Sequence, residues 1–385
     1  MTCPVYYSRV SSYDESLLRD SLHKLLVPAA GGYGSLKGKK ILLKPNLLFC
    51  RRSDDPAAVH PAVITAAAEV LLNAGAAEVT LLENPGTQHV SAIIEKMQIS
   101  EKLHSLNVRY DDFADYRELA LPGNCCFRQL RIAREFENFD LVVDLAKAKT
   151  HAMMTLTLAV KNLFGFIDSA DRLSWHLAVG SDFNRFADLL LDLYLTVKPQ
   201  ISIIDGIIGM EGNGPGSGTP VAANFLACSA DALALDASVA ERLGVASSEL
   251  ILLQRAAKRG LDFSYSNQGE IPETVPFKLP DPPGMLNAWG VTLPPFFKKQ
   301  LRNLAGSRPF LDAKECISCG RCAEVCPPQS LKMKMVKKRK LPFFDLNNCI
   351  RCYCCQEHCP RGAISPRPQL LNSLLSAAVR IFRRR

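Results

Sequence analysis

The chain has 385 residues, 48% of them apolar, with 46 Lys+Arg against 38 Asp+Glu and 14 cysteines. That length holds two or three domains with ample core, which excludes a disordered tail or a disulfide-stapled miniprotein. Charge and cysteine gather at one end: residues 306–385 carry 16 Lys+Arg against five Asp+Glu, a net of +11, residues 1–305 carry a net of −3, and nine of the 14 cysteines fall between Cys316 and Cys359.

Residues Met1 to Ser16 include polar and acidic side chains and no apolar h-region, and no window approaches the ~20 uninterrupted apolar residues of a spanning helix, so the expected location is cytoplasmic. In that reducing setting clustered cysteines point to metal ligation or catalysis over disulfides. Lys40 to Leu43 is a short apolar run stopped by Lys44-Pro45-Asn46, as for a buried strand that runs into a loop. His60-Pro61 opens an alanine-rich helix to about Asn73 with Gly75 at C′, and Glu78 to Leu82 is the next strand. Strand, helix and strand in that order predict a right-handed parallel crossover. Phe139 to Leu145 and Ile201 to Ile204 are two more apolar strands, separated by a helix from about Asp182 to Val197. The pattern predicts an α/β domain over residues 1–265, an open, mainly parallel sheet with helices on both faces. Eight prolines from Pro272 to Pro309 predict a linker over 266–309, followed by a cysteine-rich domain over 310–365 and a basic amphipathic tail over 366–385.

In open parallel sheets ligands bind beyond the carboxyl ends of the strands. The first strand ends in Lys44 and Asn46, and the second in Glu83, Asn84 and Gly86. The third leads into Lys147, Lys149, Thr150 and His151, with Lys161, Asn162 and Gly165 further on. The fourth ends in Asp205 and a glycine-rich loop from Glu211 through Gly212 and Gly214 to Gly218. Lysines for charge, glycine N–H groups that approach closely, and His151 or Glu211 as proton carriers suit a small anionic substrate or cofactor. The plain alternatives are solvated lysines, a structural His151 and a surface Ω-loop. The loop has neither the dinucleotide nor the Walker spacing, so no nucleotide is assigned. Cys3, Cys50, Cys125, Cys126 and Cys228 form no ligand spacing and read as packed or surface thiols.

Cys316, Cys319, Cys322 and Cys326-Pro327 follow one another at x2, x2 and x3 intervals, and Cys349, Cys352, Cys355 and Cys359-Pro360 repeat the run. This is the bacterial two-cluster ferredoxin spacing, in which the fourth cysteine of each run crosses to the other cluster. It assigns one 4Fe–4S cluster to Cys316, Cys319, Cys322 and Cys359, and a second to Cys349, Cys352, Cys355 and Cys326. Structural zinc is the rival, but zinc sites pair two-cysteine knuckles, whereas each run here offers four thiolates in one order. Cys354 is a bystander thiol. Between the runs, Lys332, Lys334, Lys337, Lys338, Arg339 and Lys340 lie on an expected hairpin that returns through Leu341 to Phe344. It reads either as a solvated hairpin or as a docking face for an acidic redox partner protein; nucleic acid is not expected, because no aromatics interleave with the cations. In the tail, Leu370, Leu371, Leu374, Leu375, Ala378, Ile381 and Phe382 share one helical face before Arg383 to Arg385. Packing onto the protein is favoured there over peripheral membrane contact.

Lys44-Pro45-Asn46, Lys149-Thr150-His151 with Lys161-Asn162-Leu163-Phe164-Gly165, and Asp205-Gly206-Ile207 with Met210-Glu211-Gly212-Asn213-Gly214-Pro215 resemble the family known as domain of unknown function 362, over about residues 35–245. In that family the domain is often fused to a two-cluster ferredoxin module. The resemblance implies a redox-linked prokaryotic protein with Lys149, His151, Lys161, Asn162, Asp205 and Glu211 as candidate site residues, and no general activity comes with it. The leading expectation is an iron–sulfur oxidoreductase that passes electrons through two clusters to an anionic substrate at the strand ends. The alternatives are a non-catalytic electron carrier with a docking or sensing α/β domain, and a scaffold that delivers clusters.

Overall fold

A computed structural model describes residues 2–86, 88–179, 182–280 and 308–367. Its strands are β1 (Cys3–Arg9), β2 (Lys40–Pro45), β3 (Glu78–Glu83), β4 (Arg109–Asp112), β5 (Tyr116–Ala120), β6 (Gln129–Ala133), β7 (Leu141–His151), β8 (Thr155–Thr157), β9 (Ile201–Glu211), β10 (Thr219–Ser229), β11 (Tyr265–Gly269), β12 (Arg308–Leu311), β13 (Leu331–Val336), β14 (Arg339–Phe344) and β15 (Ile364–Arg367). Its α-helices are α1 (Glu15–Ala29), α2 (Pro61–Asn73), α3 (Val90–Lys96), α4 (Ser100–Ser105), α5 (Ala159–Asn162), α6 (Ser169–Val179), α7 (Phe183–Val197), α8 (Ala232–Arg242), α9 (Ile251–Lys258), α10 (Arg321–Glu324) and α11 (Cys354–Glu357).

The main sheet runs β11-β1-β10-β9-β7-β2-β3-β4, with β8 folded back on β7. The stretch β9-β7-β2-β3-β4 is parallel, and β10 is antiparallel to both of its neighbours. Strand alternation divides the core: Ile41 and Leu43 pack with α1 and α2 on one face, while Leu42 packs with α7 and α8 on the other. Helix starts follow their caps. Asp14 accepts from Leu17 N, His60 from Ala62 N with Pro61 as the first helical residue, and Asp182 from Arg185 N. The chain is thus an α/β fold, and the expected β2, α2, β3 and α7 stand within a residue or two of their sequence-based limits.

Two expected strand ends move. The strands expected at Phe139 to Leu145 and Ile201 to Ile204 continue to His151 and Glu211. The reason is electrostatic: Lys147 stands opposite Asp205 in the parallel ladder, and their side chains pair at 2.7 Å, so two cancelling charges extend strands that an apolar count would end. The expected linker start is also corrected. β11 pairs with β1, and Val275 and Phe277 donate N–H groups to the carbonyls of Arg242 and Leu243, which ties residues 265–277 to the α/β domain. Prolines at 272 and 276 remove their own donors only, and Val275 and Phe277 on either side of Pro276 still bond. The rest of that stretch, 281–307, lies outside the described residues, as does the tail beyond Arg367, whose first two residues belong to β15.

The cysteine-rich segment forms the β12–β15 pair, the expected hairpin β13–β14 and the one-turn helices α10 and α11. Among the described residues no helix is long and apolar enough to cross a membrane.

Candidate functional site

The two cysteine runs close two separate cages, each built from three cysteines of one run and the last of the other. Cys316, Cys319, Cys322 and Cys359 line a space of about 340 Å³ out to its mouth, and Cys326, Cys349, Cys352 and Cys355 line one of about 360 Å³ measured in the same way. Backbone conformation repeats with the sequence: Ser318 and Gly320 flank Cys319 at positive φ, and Arg351 and Tyr353 flank Cys352 in the same way. A left-handed residue on each side of the middle cysteine gives the alternating backbone that turns neighbouring amide N–H groups to one side. Ser318 N and Ala363 N donate to the sulfurs of Cys316 and Cys359 at 3.4 and 3.2 Å. Burial, then the neighbouring thiols Cys359, Cys319 and Cys316, push Cys322 up to about 12, the crowding expected of four thiols gathered for a metal centre. Four thiols round each cavity suit a 4Fe–4S cluster, and in the first cage two amides are also aimed at sulfur. Cys354 is buried beside Cys352 and lines neither cage.

A larger cavity, about 880 Å³ out to its mouth, lies at the carboxyl ends of β2 and β3 beside β7, with the cysteine-rich module as one wall. Asn46, Glu83, Lys149, Lys161, Arg172 and His176 face it from the α/β side, and Val325, Glu357 and His358 from the module. Val325 precedes Cys326, and Glu357 and His358 lie between Cys355 and Cys359, so the wall is made from residues adjacent to both cages.

The polar floor is a chain of hydrogen bonds. Lys149 Nζ donates to Asn46 Oδ1 (2.7 Å) and to the Ala57 carbonyl (2.6 Å), Asn46 Nδ2 to Asn162 Oδ1 (2.8 Å), and Asn162 Nδ2 to Asp144 Oδ1 (2.7 Å). Burial pushes Lys149 down to about 7, with Lys161 and Lys147 adding to it, and burial pushes Asp144 up to about 7 against the pull of Lys44. Lys44 Nζ is tied to Glu83 Oε2 at 2.5 Å.

Three groups face the cavity with bonding capacity to spare. Lys161 makes no hydrogen bond or ion pair among the described residues; its Nζ stands 5.2 and 5.7 Å from the ring centroids of Phe164 and Phe186. Arg172 donates to the carbonyls of Ile167, Asn84 and Gly165 and has no carboxylate within ion-pair reach among those residues. His176, stacked on Phe186, has a buried Nδ1 without a hydrogen-bond partner there, and burial pushes it down to about 4.

Glu357 reaches in from the module. Its Oε1 is 3.2 Å from His151 Nε2, an ion-pair distance without hydrogen-bond alignment. Burial would raise this carboxyl, but His151, Lys161 and His176 outweigh it and hold it well below the usual carboxylate range. Burial and the Lys161 charge act on His151 in the opposite sense and lower it. His151 Nδ1 accepts from Met153 N and Met154 N, so the ring is neutral there and its proton sits on Nε2, on the side of Glu357.

Of the residues expected at a site, Asn46, Lys149, Lys161 and Asn162 line this cavity. Lys44 and His151 sit one layer behind, through Glu83 and Glu357. Asp205 is away from it, fully buried, paired with Lys147 and accepting from His60 N. Glu211 accepts from Lys278 N, and Gly212 N donates to the Lys278 carbonyl. The glycine-rich loop does not face the cavity with its N–H groups; it seats the module. A Cβ on Gly214 would stand 2.3 Å from the Thr150 carbonyl, and one on Gly216 would stand 2.8 Å from that of Glu357, while Gln356 Nε2 donates to Asn213 O at 3.1 Å. Sequence reasoning missed Arg172, His176, Glu357 and His358. Arg172 and His176 are four apart on α6, a spacing that could have flagged them, whereas the sequence carries no signal that Glu357 crosses to the other domain.

Residues 41–241 match the family described as Domain of unknown function (DUF362), and residues 315–363 match a 4Fe-4S dicluster domain. The cysteine-rich module is therefore an iron–sulfur domain. A curated relative, the thylakoid-associated protein sll1697 of Synechocystis sp., is 32% identical over 255 residues, which cover 66% of this chain and 78% of the relative. Two solved structures are more distant. One is a protein from Thermotoga maritima (16% identity, TM-score 0.34, 53% of this chain) and the other the lactate racemase apoprotein from Thermoanaerobacterium thermosaccharolyticum (14%, 0.36, 59% of this chain). The chain spans about half the length of each, 52% and 54%.

Proposed function

Because the chain belongs to the DUF362 family and joins that domain to a 4Fe–4S dicluster module, we propose that it is a ferredoxin-coupled oxidoreductase whose substrate or cofactor is an anion bound in the shared cavity. The reading includes two clusters, one per cage, and the observation that carries it is the common wall: the unpaired cations Lys161 and Arg172 face residues that adjoin the cluster ligands. When bound, the clusters supply one-electron transfer beside the cavity. Lys161 and Arg172 bind and orient the anion in a site of low dielectric, where a charge contact is stronger than in water. His151, with its proton on Nε2, and the Glu357 carboxylate 3.2 Å away are the proton-carrying groups at the cavity wall, the role that His151 or Glu211 was expected to fill. Phe164, Leu173 and Val325 exclude water from the same space.

The test is anaerobic purification with iron and sulfide quantification, EPR of the reduced protein, and mass spectrometry for a co-purified small molecule. About eight irons and a bound anion lost in Lys161→Ala support the reading, and about two zinc ions would overturn it. If the clusters form and Lys161→Ala and Glu357→Gln leave their reoxidation by every candidate anion unchanged, the chain is an electron carrier with a docking domain instead.

A further inference from the structure

We propose that the β13–β14 hairpin is the docking face for an acidic one-electron donor protein, which reduces the cage of Cys316, Cys319, Cys322 and Cys359. The inference rests on the module being an electron conduit, and it concerns where electrons come in, not where they leave.

The base of the hairpin, Leu331 and Phe344, lines the second cage, and its next inward-facing pair covers the first. Met333 and Pro342 are cross-strand partners, and both line the cavity around those four cysteines. Arg339 fastens the hairpin to the first cysteine run by donating to the carbonyls of Ala313 and Cys316. Cys319 in this cage is the one exposed cysteine of the eight, and Ile317 beside it is 57% exposed. The second cage has no exposed cysteine and adjoins the cavity wall through Val325 and Glu357. The first cage is thus the one a protein from solution can approach closely.

The outer surface is built for a partner of opposite charge. Lys332, Lys334, Lys337, Lys338 and Lys340 are exposed, and none has an ion-pair partner among the described residues. No acidic residue lies between Leu331 and Phe344, so like charges repel along the whole element. Among them stand Phe343, Met335 and Val336, 54%, 63% and 49% exposed, with Lys334 Nζ 3.7 Å from the Phe343 ring centroid. Apolar anchors ringed by cations fit an acidic protein surface, with charge governing encounter and the apolar centre governing residence. On transfer the donor would lose one electron and an oxidised 4Fe–4S cluster held by those four cysteines would gain it, with no bond formed or broken.

The experiment uses the full chain with its clusters and an acidic flavodoxin as probe. Binding is measured by calorimetry at about 50 mM and about 300 mM salt, where screening separates charge from apolar contact. The variant reverses Lys332, Lys334, Lys337 and Lys338 to Glu, and a second variant changes the same four to Gln. Dithionite reduction followed by EPR establishes that each protein carries its clusters. Wild-type affinity should fall on the order of tenfold with the salt step, and the Glu variant should lose at least that at low salt, the Gln variant less. Equal flavodoxin binding by all three proteins overturns the docking face. So does binding of the wild type, but not the Glu variant, to phosphatidylglycerol vesicles with no binding to flavodoxin, which would make the hairpin a lipid-binding element. Absence of any dithionite-reducible cluster would overturn the iron–sulfur reading beneath it.

Discussion

In the α/β domain the lysines beyond the apolar runs are inside: Lys44, Lys147 and Lys149 are at most 1% exposed, and each ends on Glu83, on Asp205, or on Asn46 and the Ala57 carbonyl. In the iron–sulfur module the five hairpin lysines are exposed and have no carboxylate partner among the described residues. The first group owes its place to its partners: carboxylates neutralise Lys44 and Lys147, and hydrogen bonds to Asn46 and the Ala57 carbonyl hold Lys149. The second group has no ion pair to add to folding, and its charge is left for other molecules. Lys161 belongs to neither group: it lies in a cavity as the first three lie in the core, and it is unpaired as the hairpin lysines are. Partnership, more than burial, separates lysines that hold the fold from lysines that act on something else.

The contrast breaks first at Lys147. Lys147→Met leaves Asp205 buried with only Tyr13 and the amides of His60 and Ile207, and should cost about 3–5 kcal/mol, read from the urea unfolding midpoint. The double change Lys147→Met with Asp205→Leu should recover most of that loss; if it does not, the pair is more than a neutralised couple. A smaller loss is expected at Gly165. A Cβ there would stand 2.2 Å from Glu83 Oε1 and 2.6 Å from Lys44 Nζ, so Gly165→Ala must part that pair, at about 1–3 kcal/mol by the same measurement.

The sequence revealed the two kinds of lysine unequally. Apolar runs located β2, β3 and the start of β7, and caps located α2 and α7, because local pattern determines both. The cysteine runs located the cages because their geometry is local as well. What stayed hidden is whatever depends on a distant partner: Lys147 and Asp205 read as loop residues because each needs the other to belong in a strand. Likewise the glycines from 212 to 218 read as an anion cradle, and Gly216 in fact makes room for the Glu357 backbone, 141 residues along the chain. The cavity was legible on its α/β side and not on its module side.

Lys149 sharpens the contrast through pH. It is pushed down to about 7 in the folded protein, whereas an unfolded lysine titrates near ~10.4. Between those values the unfolded chain binds more protons, so stability rises with pH across that window on its account and is flat below it. Lys149→Met should remove this part of the slope in urea unfolding run at pH 7, 8 and 9. An unchanged slope would mean that its contacts to Asn46 and Ala57 suffice to keep it charged.

Lys161 is where the smallest effect on folding is expected, and that is what makes it decisive. Having no hydrogen bond or ion pair among the described residues, it leaves no bonding partner behind when removed, and His151 and His176 still face the Glu357 carboxylate. Lys161→Met keeps the stem against Phe164 and Phe186, and should change unfolding free energy by no more than about 0.5 kcal/mol, in either direction, because lost cation–π attraction opposes relief from desolvation. Anion binding by the full protein, followed by the fluorescence of Trp175 on α6, should weaken on the order of tenfold or more, because one of two unpaired cations is gone. Loss of stability with binding intact would return Lys161 to the class of Lys44 and Lys147, as a lysine whose partner is the fold itself.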